Sequence, residues 1–250
     1  RNAGYIVGPA AAGLMLLRMD AIAVFTMIGI LSSLAFLPVL VLPEPLRSTE
    51  TPRPPLVRQA LRSLVQGGRT SAVWLAGGFE ATMYLALYAT KAFLPIYALS
   101  AGHNVAVAGT FFAVQEAVHT VLNPVGGRLG DRLGYRVVVP LGMVLLGVTL
   151  PLLTVQSGVL FLFTLAGLIG VSQALVFPST VALVSNQVQP GSLATGMGLI
   201  GTLKNGGKVA GPALAGLLIH WSGYTFTFQL MGVGLVLGAV AVWQGARISQ

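Results

Sequence analysis

Eight long apolar stretches determine what this chain can fold into. They lie at 4–17, 21–42, 71–97, 105–125, 136–154, 158–184, 193–219 and 224–245. A helix of roughly 20 apolar residues crosses a hydrocarbon core of about 30 Å, and most of these stretches reach that length. A membrane-spanning β-barrel would instead show shorter segments in which apolar and polar residues alternate. The stretches therefore predict an all-α integral membrane protein with eight transmembrane helices, in contact with the lipid bilayer.

The composition of the chain agrees with this prediction. Hydrophobic residues make up 55% of the sequence and charged residues only 8%, whereas soluble domains carry about 25% charged residues. The chain has no cysteine, which excludes disulfides and thiolate metal sites. A soluble domain is therefore excluded as the fold class.

The arginines predict how the helices are oriented in the membrane. If the eight stretches alternate in direction, nine arginines fall on one side and Arg18 alone lies in a loop on the other. The positive-inside rule makes the arginine-rich side cytoplasmic, so we expect a cytoplasmic or inner membrane location with the 43–70 loop and the C-terminus inside. Because these charges do not form one patch, the net charge of +8 does not indicate a nucleic-acid partner. The nine are Arg47, Arg53, Arg58, Arg62, Arg69, Arg128, Arg132, Arg136 and Arg247.

The longest connection marks a predicted domain boundary. Residues 43–55 are rich in proline and polar residues, as in a linker, and the apolar residues of 56–66 share one helical face, as in an amphipathic surface helix. We therefore predict that 1–42 ends one bundle, that 43–70 is a cytoplasmic linker, and that 71–250 forms a second, six-helix bundle.

The opening of the chain is repeated near its other end. Shifting 1–15 by 203 positions aligns it without a gap with 204–218, with eight identical residues among the fifteen pairs. A repeat over so long a distance indicates duplicated halves, as in many transporters. The main difference is that Tyr5 corresponds to Lys208.

A ten-residue motif connects the fourth and fifth stretches. Its pattern, G-x-L-G-D-R-x-G-x-R at 127–136, resembles the loop motif of the major facilitator superfamily, except that Tyr135 stands where a basic residue is usual. We predict a tight basic turn over 126–136, with Asp131 accepting hydrogen bonds from a neighbouring helix N-terminus. The conformational motif consists of Gly127, Asp131, Arg132, Gly134 and Arg136.

The repeated segments resemble the Gly-Pro helix motif of antiporters in that superfamily. Small residues four apart let helices approach closely, and proline interrupts the hydrogen-bond ladder of the helix. Plain helix packing is the alternative interpretation. The two copies comprise Gly4, Gly8, Pro9, Gly13, Gly207, Gly211, Pro212 and Gly216.

The resemblance implies a drug/proton antiporter type of transporter in which this chain supplies helices 5–12 of an expected twelve. It implies a small-molecule substrate and protons as partners, a monomer, and no cofactor. On this basis the first four helices are expected upstream of Arg1.

Charged side chains inside predicted spans are candidate functional groups, because each costs roughly 3 kcal/mol or more to insert. Glu80, Glu116 and Lys204 fall near the middle of their spans. Spacing places Glu80, Tyr84, Tyr88 and Lys91 on one helix face, and it groups Glu116, His119, Thr120 and Asn123 on another. The predicted substrate-cavity residues are Lys204, Lys208, Tyr84, Tyr88, Lys91, Asn123 and Asn205.

Glu116 is our preferred proton carrier, with His119 as a relay, Lys204 as substrate ligand or charge partner, and Glu80 as a second proton-coupling candidate. Purely structural roles are the alternative interpretation of these residues. Lys91 could reach toward the membrane surface, His119 could be a neutral packing residue, and either glutamate could be a static partner of Lys204.

The sequence carries no catalytic signature and no metal-spaced histidine cluster, so neither an enzyme nor a metal site is predicted. The predicted function is proton-coupled efflux of small molecules by alternating access. The alternatives are a symporter importing a sugar or organic anion, a membrane sensor without transport activity, and an intramembrane enzyme. A further alternative is that the chain is inactive without the missing helices.

Overall fold

In a computed structural model, residues 2–34, 36–37, 71–155, 158–188 and 193–248 are described, and no strand occurs in these ranges. They form seven helices, the last of which is broken at Gly223 into two segments that we call α7a (193–222) and α7b (224–248). The helices are α1 (Asn2–Met15), α2 (Ala21–Leu34), α3 (Ser71–Ser100), α4 (Val105–Leu133), α5 (Tyr135–Leu152), α6 (Val159–Gln187) and α7 (Leu193–Ile248).

The eight helical segments correspond one to one with the eight predicted stretches. Four helices are long and apolar enough to cross a membrane: α4, α5, α6 and the 193–241 part of α7. The apolar parts of α1 and α2 are shorter, and α3, which has 30 residues, is not among the four. The predicted linker and amphipathic helix of 43–70 lie outside the described residues.

The predicted turn at 126–136 is wrong in extent. α4 continues to Leu133, and α5 begins at Tyr135, so Gly134 alone connects the two helices. Gly134 has φ 80° and ψ 147°, a conformation that is essentially restricted to glycine. The other glycines of this segment serve helix packing, because Gly126 lies against the Ala174 carbonyl of α6 and Gly130 against Ser179.

Close glycine contacts also join the helices around the repeated segments. A β-carbon at Gly207 or Gly211 would collide with the carbonyl oxygens of Ala81 or Leu85 on α3. In the first copy, Gly13 packs against the α4 backbone, whereas Gly4 and Gly8 have open space toward the described residues. The small residues thus bring α7a onto α3 and α1 onto α4 at backbone contact distance.

The distribution of polar residues is the reverse of that in a water-soluble protein. Apolar side chains on the outside are strongly exposed, for example Leu160 at 81% and Val209 at 76%, whereas Glu80, Gln115 and Gln173 are buried. An apolar exterior suits a protein surrounded by lipid, and buried polar groups in such a bundle mark candidate functional sites.

Candidate functional site

Five helices surround a polar cavity of about 150 Å³ inside the bundle. Tyr5 of α1 lines this cavity, and the other lining residues come from α3, α4, α6 and α7a. The lining residues are Tyr5, Tyr84, Tyr88, Lys91, Glu116, His119, Gln173, Phe177, Lys204 and Lys208.

Helical spacing explains why so many polar groups meet here. Tyr84, Tyr88 and Lys91 recur at intervals of four and three residues on α3, and Lys204 and Lys208 are four apart on α7a. Residues at such intervals share one helix face. Since glycines bring α3 and α7a into backbone contact, these two polar faces meet across the cavity.

The three lysine ammonium groups lie over tyrosine rings. Nζ of Lys208 is 4.9 Å from the centre of the Tyr84 ring and 5.4 Å from that of Tyr88. Nζ of Lys204 is 5.2 Å from the Tyr84 ring, and Nζ of Lys91 is 5.4 Å from Tyr88 and 5.9 Å from Tyr5. A cation over an aromatic face within about 6 Å is stabilised by roughly 0.5–2 kcal/mol, depending on desolvation.

Glu80 lies behind the cavity and connects three helices. Its Oε1 accepts a hydrogen bond of 2.8 Å from Oγ1 of Thr180 on α6, and its Oε2 lies 3.8 Å from Nζ of Lys204 on α7a. The Glu80 side chain is buried, whereas Lys204 remains 30% exposed. This geometry supplies the carboxylate with both a hydrogen-bond donor and a counter-charge.

Glu116 and His119 form a second polar pair, one turn apart on α4. Their Oε1 and Nδ1 atoms are 3.3 Å apart, and both side chains are largely buried. The imidazole also meets the Phe177 ring edge-on, with the ring centres 5.7 Å apart. An imidazole that contacts a carboxyl group at this distance is placed to pass a proton to or from it.

Two predicted cavity residues lie elsewhere. Neither Asn123 nor Asn205 lines the cavity, because Asn205 is exposed and Asn123 lies a full turn beyond His119. In the part of the chain that the structure describes, the buried Asn123 Oδ1 and Thr120 Oγ1 have no hydrogen-bond partner.

Three lining residues were not predicted from the sequence: Tyr5, Gln173 and Phe177. Tyr5 could have been found from the repeat, because it corresponds to Lys208 and the two equivalent positions face the same cavity. Gln173 receives a hydrogen bond of 3.1 Å at Oε1 from Nε2 of the buried Gln115. Phe177 stacks on Tyr84 with the ring centres 4.8 Å apart, and an apolar residue of this kind carries no signal in the sequence.

The side chains provide no metal site within the described ranges, where no three His, Asp or Glu residues come together. What the cavity offers is cations, carboxyl groups, an imidazole and aromatic faces. Such a set can bind and protonate a small molecule.

Comparison with known protein families identifies the family of this chain. Residues 80–247, more than half of the sequence, match the sequence profile of the family described as Major Facilitator Superfamily. The chain belongs to the major facilitator superfamily. The matched range includes the 127–136 motif and the second Gly-Pro segment, so the predicted membership and the all-helical membrane fold are confirmed.

The names of two similar proteins refer to drug efflux and to drug resistance. The chain is 26% identical over 152 residues to the "Multi-drug resistance efflux pump PmrA homolog" of Lactococcus lactis, a match covering 59% of this chain and 37% of that protein. It is 26% identical over 131 residues to the "Quinolone resistance protein NorA" of Staphylococcus aureus, a match covering 52% of this chain and 33% of that protein. The matches thus span about a third of the length of each relative.

Membership of this superfamily and the apolar helices make the chain a multi-pass membrane protein. The word efflux in the name of the Lactococcus lactis relative agrees with the resemblance that the sequence motifs carry.

Proposed function

We propose that this chain belongs to a proton-coupled exporter of small molecules that works by alternating access. The observation that carries the proposal is the Glu116–His119 pair in a cavity that also contains three lysines. The name of one relative, an efflux pump homolog, supports efflux as the direction of transport. A cavity enclosed by helices in an apolar bundle also suits a substrate that must cross a membrane.

In this mechanism Glu116 carries the proton and His119 relays it. The protonation of a buried carboxyl group depends on its desolvation and on nearby charges. Rocking of the two bundles would change both, so that Glu116 takes up a proton on one side of the membrane and releases it on the other. Lys204 lies against Glu80 and over Tyr84, which supports its role as charge partner or substrate ligand.

Glu80 remains the second proton-coupling candidate. Its contacts with Thr180 and Lys204 support a mainly structural role in the state described here. Loss of the Lys204 contact during rocking would turn Glu80 into a group that needs a proton, because an unpaired buried carboxylate is costly.

We further propose that residues 1–42 belong to the first bundle, that 71–250 form the second, and that the arginine-rich end faces the cytoplasm. Arg128, Arg132 and Arg136 are all exposed around the α4–α5 junction, as the positive-inside rule requires. Contact between α1 and α4 would then lie between the bundles, where rocking takes place.

The test is substrate-driven proton movement in inverted vesicles that contain the protein. A quinolone, the drug class in one relative's name, should dissipate an imposed pH gradient with the wild type. Glu116→Gln should reduce this flux at least tenfold, because glutamine cannot bind the proton. Glu116→Asp should retain part of the flux.

The matched control is Asp20→Asn, which removes an exposed carboxylate far from the cavity and should leave the flux unchanged. Substrate transport by Glu116→Gln with the wild-type pH dependence would disprove the assigned role. Proton flux in the same direction as the substrate would instead favour the symporter alternative, which the lysine-rich cavity makes the second candidate.

A further inference from the structure

The lysines and arginines of this chain occupy separate places. The sequence contains only three lysines, Lys91, Lys204 and Lys208, and all three line the polar cavity, whereas no arginine of the described ranges does. Lysine concentrates its charge in a compact ammonium group with three rotatable donors. The basic residues of the cavity are therefore a distinct set from those that orient the protein in the membrane.

Among the residues that the structure describes, those at the cavity carry more positive than negative charge. Three ammonium groups face it, while the carboxyl groups nearby are Glu116 in the lining and Glu80 behind it. With both carboxyl groups ionised and His119 neutral, one positive charge remains unmatched, and protonation of Glu116 leaves two. Buried charge in a membrane protein is expensive and requires a partner.

The way in which the lysines are held leaves room for that partner. Lys204 lies 3.8 Å from the Glu80 carboxylate. Lys91 and Lys208 interact electrostatically with Glu116 and Glu80, respectively, and their ammonium groups rest on tyrosine faces. A cation–π contact steadies an ammonium group without using its N–H donors fully. Lys91 and Lys208 can therefore direct these donors toward an anion in the cavity.

Four of the other lining residues are tyrosine or phenylalanine. Tyr5, Tyr84, Tyr88 and Phe177 contribute rings, and the stack of Tyr84 on Phe177 forms a flat wall beside the lysines. Aromatic ligands gain from offset-stacked and edge-to-face contacts with such rings.

We propose that the cavity binds a compact aromatic anion, with its carboxylate between Lys91 and Lys208 and its ring against the tyrosine and phenylalanine wall. This inference rests on the cavity being the transport site of the proposed function, but it concerns the charge of the substrate and holds for either direction of transport. A cationic ligand of the same shape is repelled by the three ammonium groups.

The test compares three probes of one shape and different charge. Binding of 2-naphthoate, 2-naphthylmethylammonium and 2-naphthalenemethanol to the purified protein in nanodiscs is measured by equilibrium dialysis. We expect 2-naphthoate to bind at least tenfold more tightly than the ammonium and alcohol probes. Equal or tighter binding of either of these, or no binding of 2-naphthoate, would overturn the proposal.

Variants then assign the charge to its residues. Lys91→Gln and Lys208→Gln should each weaken 2-naphthoate binding tenfold or more, and Lys208→Arg should restore most of the affinity because it keeps the charge. Arg18→Gln removes an exposed cation outside the cavity and should have no effect. Unchanged 2-naphthoate binding by both glutamine variants would overturn the assignment.

The binding readout separates this proposal from the proposed function. Lysine-dependent 2-naphthoate binding without any proton-coupled flux would sustain the inference and refute the exporter. Proton-coupled flux driven by the ammonium probe alone would sustain the exporter and refute the inference.

Discussion

Oε2 of Glu80 and Nζ of Lys204 lie 3.8 Å apart, across the interface between α3 and α7a. The two residues are more than 120 positions apart in the chain, and Thr180 on α6 holds the other carboxylate oxygen. One carboxyl group thus links three helices beside the cavity.

This ion pair should contribute to stability as a unit. Glu80→Gln and Lys204→Met should each lower the free energy of unfolding by about 2 kcal/mol, less than for a fully buried pair because Lys204 is partly solvated. The double variant should cost clearly less than the sum, since it leaves no charge without its partner. Thermal unfolding in detergent, followed by tryptophan fluorescence, measures each term, and strictly additive losses would contradict the coupling.

Two adjacent glycines on α7a should respond differently to alanine. A methyl group at Gly207 collides with the Ala81 carbonyl, so Gly207→Ala should destabilise the protein by about 1–3 kcal/mol through overpacking. Gly206 has open space toward the described residues, so Gly206→Ala should be neutral or stabilising by up to about 1 kcal/mol. The melting temperatures of the two variants provide the comparison. Equal shifts would show that close packing of α3 and α7a is not the cause.

The one-residue connection between α4 and α5 should depend on glycine. Gly134→Ala forces a side chain into the backbone conformation at φ 80° and ψ 147°, at a cost of about 1–3 kcal/mol. Gly127→Ala, in the same motif, places a β-carbon 3.7 Å from Pro178, an ordinary contact, and should be tolerated. A Gly134→Ala variant as stable as Gly127→Ala would contradict this expectation in the same melting assay.

The buried glutamine pair between α4 and α6 offers another test. Gln173→Leu removes the acceptor of the 3.1 Å hydrogen bond from Gln115 and leaves a buried amide without it, at a cost of about 1–3 kcal/mol. Adding Gln115→Leu should recover part of this loss, because neither helix then presents a polar group there. Further destabilisation by the second substitution would show that Gln115 serves another purpose.

Hydropathy and helical period predicted the helical segments of the described ranges, because a lipid environment leaves the chain few other solutions. The same reasoning failed at 126–133, where glycine and arginine suggested a turn. Gly126 and Gly130 are instead used for packing against α6, and composition alone does not distinguish a flexible glycine from one that admits a neighbouring helix.

Charged residues inside apolar stretches, and the polar residues that share their helix faces, predicted most of the residues that line the cavity. A buried ionisable residue is costly and therefore rarely accidental. The contact partners of these residues could not be predicted from the sequence. Thr180, for example, is an ordinary helix residue until folding brings it to Glu80, 100 positions away. Phe177 was not predicted, because the sequence does not distinguish an aromatic residue that lines a cavity from one that packs in a core.

The segregation of lysine from arginine also makes this protein its own chemical reporter. Lys91, Lys204 and Lys208 carry the only side-chain amines in the sequence, and all three line one cavity. Within these 250 residues, a small amine-reactive reagent will therefore modify only side chains of the cavity, without any engineered label. A protease that cleaves after lysine will cut the denatured chain at those same three positions, so each change in cavity accessibility can be read directly from a peptide mass.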